Sequence, residues 1–211
     1  MSISLIHYFD YKSPYAYLAQ AATDSLEQRY GLPILRIPYT LDIPSYLGNA
    51  QLNAEGRDMV GTRNAHQWRR VRYSYIDCRR EANRRGLTIR GPQKIWNTSL
   101  AHLGFLYACE AHHFQAYHAT VFARFWERAL DIEDQAVIRR VLQETGVCAD
   151  GFDDFVSGRG TSLLETLQRE AESAGVFGVP TWRVNDQLFW GSERLPLIEA
   201  LLENSRPDHA P

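Results

Sequence analysis

Read from the N-terminus, the hydrophobic pattern changes period five times between strand and helix. Residues 3–9 (ISLIHYF) form a short apolar, β-branched and aromatic run that predicts a buried strand. Asp10, Tyr11 and Lys12 make a loop, and Ser13-Pro14 opens a helix, with serine at the N-cap and proline at the first helical position. Tyr15, Leu18, Ala19, Ala22, Leu26 and Tyr30 recur at helical spacing up to Gly31. Residues 34–38 (ILRIP) then predict a second strand, so the first 40 residues form a right-handed β-α-β unit with parallel strands.

From about 42 to 174 the period is helical. Amphipathic segments are expected at 67–85, 99–113, 114–130, 134–145 and 150–157, and Ser162-x-x-Glu165 is a capping box for a helix that ends at Gly175. Alternation returns at 181–185 and 187–190, which flank the turn pair Asn185-Asp186 and predict a hairpin. Ser192 is expected to cap a last helix, and 204–211 to be a tail. The order is β-α-β, helices, β-β-α: an α/β domain formed by 1–41 and 175–203, split by an all-helical insertion over 42–174.

Composition narrows the function classes. The chain of 211 residues carries 23 basic and 25 acidic side chains, a net charge of −2. That balance argues against a polyanion-binding protein, although only two of the basic residues are lysines and arginines crowd 63–90. Nucleic acid is not expected as a partner. No apolar run approaches the length of a membrane span and the start has no basic leader region, so the expected setting is cytoplasmic, away from the membrane. Cys78, Cys109 and Cys148 include no C-x-x-C pair, which excludes a dithiol centre and fits a reducing compartment. Cys109, His112, His113 and His118 suggest ligands on one helix, but with no matching pair elsewhere no metal is expected.

Two segments carry chemistry. Ser13 is either a plain N-cap or a hydroxyl aimed at an anion beside the helix N-terminus. Gly175-Val176-Phe177-Gly178-Val179-Pro180-Thr181 holds either an ordinary trans proline or a cis bond that leaves the Val179 backbone free for an extended ligand. Where a dithiol enzyme of this design needs two sulfurs, the helix start reads Ser13-Pro14-Tyr15-Ala16, so any nucleophilic sulfur must come from a bound molecule.

FDYKSPYAYLA at the start and GVFGVPTWRVNDQLFWGSERL near the end together resemble the glutathione-dependent 2-hydroxychromene-2-carboxylate isomerases, related to kappa-class glutathione transferases within the DsbA-like branch of the thioredoxin fold. The resemblance implies a homodimer with glutathione as cofactor, acting in aromatic compound catabolism. It also implies cis–trans isomerisation of an aromatic keto acid through reversible thiolate addition. By position it puts Ser13 at the glutathione sulfur and the Val179 backbone, before Pro180, against the cysteinyl part. Ser192 and Glu193 fall at the γ-glutamyl end, and Asn49 and Arg70 among the remaining cofactor contacts. Ala50-Gln51 replaces the family's Pro-Pro after Gly48-Asn49, Arg70 stands where lysine is usual, and Glu193 where aspartate is usual.

Tyr15, Trp96 and Trp126 are candidates for an aromatic slot or ordinary core residues, and Asn97 either lines the pocket or caps a helix. Lys12 is either a surface residue or a cation for a thiolate or substrate carboxylate. The rival functions are a kappa-like transferase that consumes glutathione and a non-catalytic glutathione- or peptide-binding module.

Overall fold

A computed structural model describes residues 3–204. Strand β1 (Leu5–Phe9), helix α1 (Pro14–Tyr30) and strand β2 (Ile34–Pro38) form the expected opening unit, and β1 and β2 pair in parallel from Leu5↔Ile34 to Phe9↔Pro38. Gly31 closes α1 with a left-handed φ of 62°, a conformation in which a side chain is strained. The helical segment holds α2 (Ile43–Leu47), α3 (Ala65–Arg84), α4 (Ser99–Glu110), α5 (Phe114–Trp126), α6 (Gln135–Glu144), α7 (Phe152–Ser157) and α8 (Arg159–Ser173). Strands β3 (Thr181–Val184) and β4 (Gln187–Trp190) complete a sheet of order β2-β1-β3-β4, with β3 antiparallel to both neighbours. Helix α9 (Leu195–Asn204) ends the described chain.

The sheet domain packs Leu5, Ile34, Trp182 and Val184 against Ala19 and Leu26 of α1 and Ile198 and Leu202 of α9. A larger core joins the C-terminal end of β1, through Tyr8, Phe9 and Tyr11, to Phe105 of α4 and Phe122 of α5. The insertion is thus packed onto the end of β1 where α1 begins, and every residue of the Asp10–Ser13 loop is buried.

Several local expectations need correction. Ser162 lies inside α8, which begins at Arg159 after Gly158; the 159–161 stretch is already helical, so Ser162 caps nothing. Ser192 sits in a 3₁₀ turn (Ser192–Arg194) with no side-chain cap bond, and α9 starts at Leu195 with Pro196 second, where its missing N–H costs no helical bond. Helices α4 and α5 end earlier than their apolar pattern, at Glu110 and Trp126, where His112 (φ 57°) and Arg128 (φ 58°) turn left-handed. Helix α3 starts two residues early through a capping box between Asn64 and Gln67. Residues 48–64 are irregular, with isolated bridges Gln51↔Lys94 and Leu52↔Asp58, so the insertion is not helical throughout. Asn204 belongs to α9, and the rest of the expected tail lies outside the described residues.

Candidate functional site

The site forms where β1 hands the chain to α1. Ser13 is the N-cap, in extended conformation (φ −92°, ψ 114°), and its Oγ accepts from the Ala16 N–H at 3.2 Å. The same hydroxyl donates to the Val179 carbonyl at 3.4 Å. Val179 precedes a cis peptide bond to Pro180, and its N–H meets no acceptor among the described residues. The Pro180 carbonyl accepts from the Gly191 N–H at 2.9 Å, which seats the Ser192 turn beside the proline. Ser13, Val179, Pro180, Gly191 and Ser192 therefore form one continuous edge.

Two glycines shape this edge. A Cβ on Gly178 would stand 2.9 Å from the Trp190 Nε1, and one on Gly191 (φ 93°) would run into the Glu193 carboxylate, which folds back over that residue. The exposed rings of Phe177 and Trp190 pack together at 5.0 Å beside the loop.

Beneath Ser13 lies a charged cluster that sequence reading missed apart from Lys12. The Asp10 carboxylate is fully buried; its Oδ2 accepts from the Leu41 N–H at 2.8 Å and its Oδ1 from the Lys12 N–H at 3.2 Å. The Lys12 ammonium lies 3.6 Å from Oδ2, and the His102 Nε2 lies 3.3 Å from Oδ1. His102 is held in turn through Nδ1 by the Thr40 hydroxyl at 3.0 Å. Burial alone would push the Asp10 carboxyl up, but His102, Lys12 and the Leu41 N–H together hold it below the usual value of 3.8. Lys12 is only 7% exposed, which excludes the surface reading. The signal available in the sequence was a lone Asp-x-Lys after an apolar strand, with no indication that His102, 92 positions later, faces it.

The other candidates divide. Tyr15 donates to Asp77 Oδ2 at 3.1 Å, tying α1 to α3, and its hydroxyl is pushed well above the usual range by burial and that carboxylate. Arg70 is exposed on α3, and its charge acts on the hydroxyl of Tyr46, a half-exposed residue of α2. Asn49 is spent locally: its backbone exchanges bonds with the Thr62 hydroxyl and its Oδ1 accepts from the Ala50 N–H. Trp126 is fully buried core. Trp96 borders an open cavity of about 360 Å³ with Phe125, Arg90 and Arg128, whose lining includes none of Ser13, Tyr15, Val179 or Ser192. Asn97 accepts from the Ser99 N–H at 2.9 Å, the helix-start reading. Cys109 and His118 lie on different helices, with His112 and His113 between them, so the four do not share a helical face; the His118 Nδ1 faces the Tyr11 hydroxyl at 3.1 Å.

Chemically, a hydroxyl at a helix N-terminus favours an anion, and a free N–H beside an accepting carbonyl suits an extended backbone. A thiol-disulfide centre is excluded at this position by Ser13 and Ala16, where sulfurs would stand.

Comparison with known proteins agrees with this architecture. Residues 4–203 match the model of the DSBA-like thioredoxin domain. A 2-hydroxychromene-2-carboxylate isomerase of Sphingobium xenophagum is 30% identical over 96% of this chain and 99% of its own length, and one of Pseudomonas putida is 27% identical over 92% of each. A solved 2-hydroxychromene-2-carboxylate isomerase superposes with a TM-score of 0.77 at 26% identity, covering 98% of this chain and 99% of that one. A probable DsbA oxidoreductase of Streptomyces coelicolor reaches 0.76 at 15% identity over 97% and 92%, a likeness of fold. With its serine N-cap, its cis-proline loop and its split sheet, the chain belongs to the DSBA-like thioredoxin domain family and is a homologue of the 2-hydroxychromene-2-carboxylate isomerases.

Proposed function

We propose that the protein is a glutathione-dependent cis–trans isomerase of aromatic keto acids of the 2-hydroxychromene-2-carboxylate type. The observation that carries the reading is the Ser13 hydroxyl, at the N-terminus of α1 and 3.4 Å from the Val179 carbonyl, in a chain 30% identical to an isomerase of that name.

The residues present suit glutathione. The unpaired Val179 N–H and its carbonyl form a backbone edge for the cysteinyl residue. Once its single proton turns from the Val179 carbonyl to the sulfur, Ser13 Oγ, with the first turn of α1, favours the thiolate over the thiol, because a donor and the positive helix end both stabilise the charged form. Ser192 and Glu193, seated beside Pro180 by the Gly191–Pro180 bond, offer a hydroxyl and a carboxylate to the γ-glutamyl end. Asn49 and Arg70 are exposed and serve as outer contacts after rearrangement of their side chains. Bound glutathione supplies the thiolate that adds reversibly to the conjugated double bond of the substrate, so that none is consumed.

On the substrate side, Lys12 and Tyr15 flank Ser13 in sequence and are the nearer candidates. Trp96 and Asn97 reach the substrate only if it extends toward the 90–98 segment.

Calorimetric titration with reduced glutathione, on the wild type and Ser13→Ala, tests the reading. Saturable binding at millimolar concentration or tighter, with proton release that weakens in the variant, is the expected result. Absence of binding removes it. A product assay separates isomerisation, with glutathione recovered, from conjugation, with glutathione consumed.

A further inference from the structure

The end of β1 has two flanks. Val179 precedes β3, on one side of β1, and Leu41 follows β2, on the other, because the sheet order is β2-β1-β3-β4. Ser13 Oγ turns to the Val179 side. The Lys12 ammonium turns to the Leu41 side, where Asp10 Oδ2 both accepts from the Leu41 N–H and stands 3.6 Å from Nζ.

The ammonium is held without being used up. At 3.6 Å its approach to Asp10 exceeds hydrogen-bond length, and none of its N–H donors meets an acceptor among the described residues. Asp10 does not depend on those donors, since the Leu41 and Lys12 backbone N–H groups already bind its two oxygens and His102 stands 3.3 Å from Oδ1. The carboxylate thus fixes the position of the charge and leaves its donors for another anion. Tyr46 belongs to α2, which follows Leu41 on the same flank, and its phenol is half-exposed.

We propose that Lys12, positioned by Asp10, is the specificity residue for the carboxylate of the electrophilic substrate, on the flank of Ser13 opposite the Val179 backbone. The ligand class is an aryl keto acid whose carboxylate reaches the ammonium while its ring lies toward Tyr46. This rests on the proposed function for the class of ligand, and its test does not require turnover. A charge-assisted hydrogen bond in a site screened from water discriminates a carboxylate from its neutral amide by about tenfold or more.

The probes are 4-phenyl-4-oxobutanoate and its carboxamide, which lack the double bond and cannot undergo conjugate addition of a thiolate. Their dissociation constants are measured by calorimetry, with saturating glutathione, on the wild type, Lys12→Met and Lys12→Arg. The wild type is expected to prefer the carboxylate by about tenfold, Lys12→Met to lose that preference, and Lys12→Arg to keep most of it. Equal binding of acid and amide by the wild type overturns the proposal, as does a preference that survives in Lys12→Met. A Lys12→Met protein whose glutathione affinity falls while the acid preference stays also overturns it, by placing the ammonium on the cofactor. Failure of glutathione-dependent turnover is a separate outcome that removes the proposed function and leaves these dissociation constants readable.

Discussion

The Ser13 hydroxyl stands 3.4 Å from the Val179 carbonyl although 166 positions separate the two residues. The contact joins the first and last thirds of the chain where a helix N-terminus, a hydroxyl and the unpaired Val179 N–H come together. Ser13 has two duties there, since Oγ also accepts from the Ala16 N–H. Ser13→Ala is therefore expected to lower thermal stability by about 1 kcal/mol, the usual cost of an N-cap, and glutathione-dependent turnover by about a hundredfold. Steady-state kinetics with a melting curve check this. Turnover within twofold of wild type would remove the hydroxyl from the chemistry.

Gly178 is the next point of leverage. Its missing Cβ leaves room for the Trp190 indole, whose Nε1 would lie 2.9 Å from an added methyl. Trp190 is half-exposed and can swing, so Gly178→Ala is expected to cost about 1 kcal/mol of stability or less. The displaced ring crowds the Val179 edge, and the Michaelis constant for glutathione is expected to rise several-fold with little change in kcat. A fall in kcat at constant Michaelis constant would contradict a binding role for this edge.

Much of this arrangement was legible in the sequence, for physical reasons that differ by segment. The strands, α1 and the hairpin announce themselves through apolar period and through Ser13-Pro14, Gly31 and Asn185, residues whose backbone preferences act within a few positions. Ser162 misled because Ser-x-x-Glu fits a helix start in any sequence, whereas the true start at Arg159 has no side-chain cap to read. The Asp10, Lys12 and His102 cluster was the least visible. Its contacts depend on α4 packing onto the end of β1, and no local pattern reports which polar side chain a distant helix will present.

That cluster makes Asp10 structurally costly to alter. Asp10→Asn keeps the shape but leaves the Lys12 ammonium buried without its counter-charge, and is expected to destabilise the fold by about 3 kcal/mol at pH 7. The carboxyl is held below its unfolded value of 3.8, so its contribution is complete above that pH and disappears as pH falls through the lower folded value. Urea denaturation of both proteins from pH 7 down to 3 should show a constant gap above about pH 5 that narrows toward pH 3. A gap independent of pH would assign the loss to packing.

His7 supplies a second acid-sensitive group with a simpler partner. Its ring stacks on Trp182 at 4.8 Å in the middle of the sheet, with both nitrogens buried and unpaired. Burial first, and the Arg36 charge second, lower its pKa from 6.5 to about 3. The unfolded chain therefore binds a proton that the native state refuses, so stability present above pH 6.5 is lost as pH falls toward 3, at about 1.4 kcal/mol per pH unit. His118, buried against Tyr11 and also depressed by burial, adds to the same slope. His7→Phe keeps a flat ring on Trp182 and has nothing to protonate. It is expected to match the wild type within about 1 kcal/mol at pH 7 and to exceed it by about 3 kcal/mol at pH 4. Parallel denaturation curves at the two pH values decide it: an equal offset at both would mean that His7 already titrates normally in the native protein, and that the sheet around Trp182 admits water.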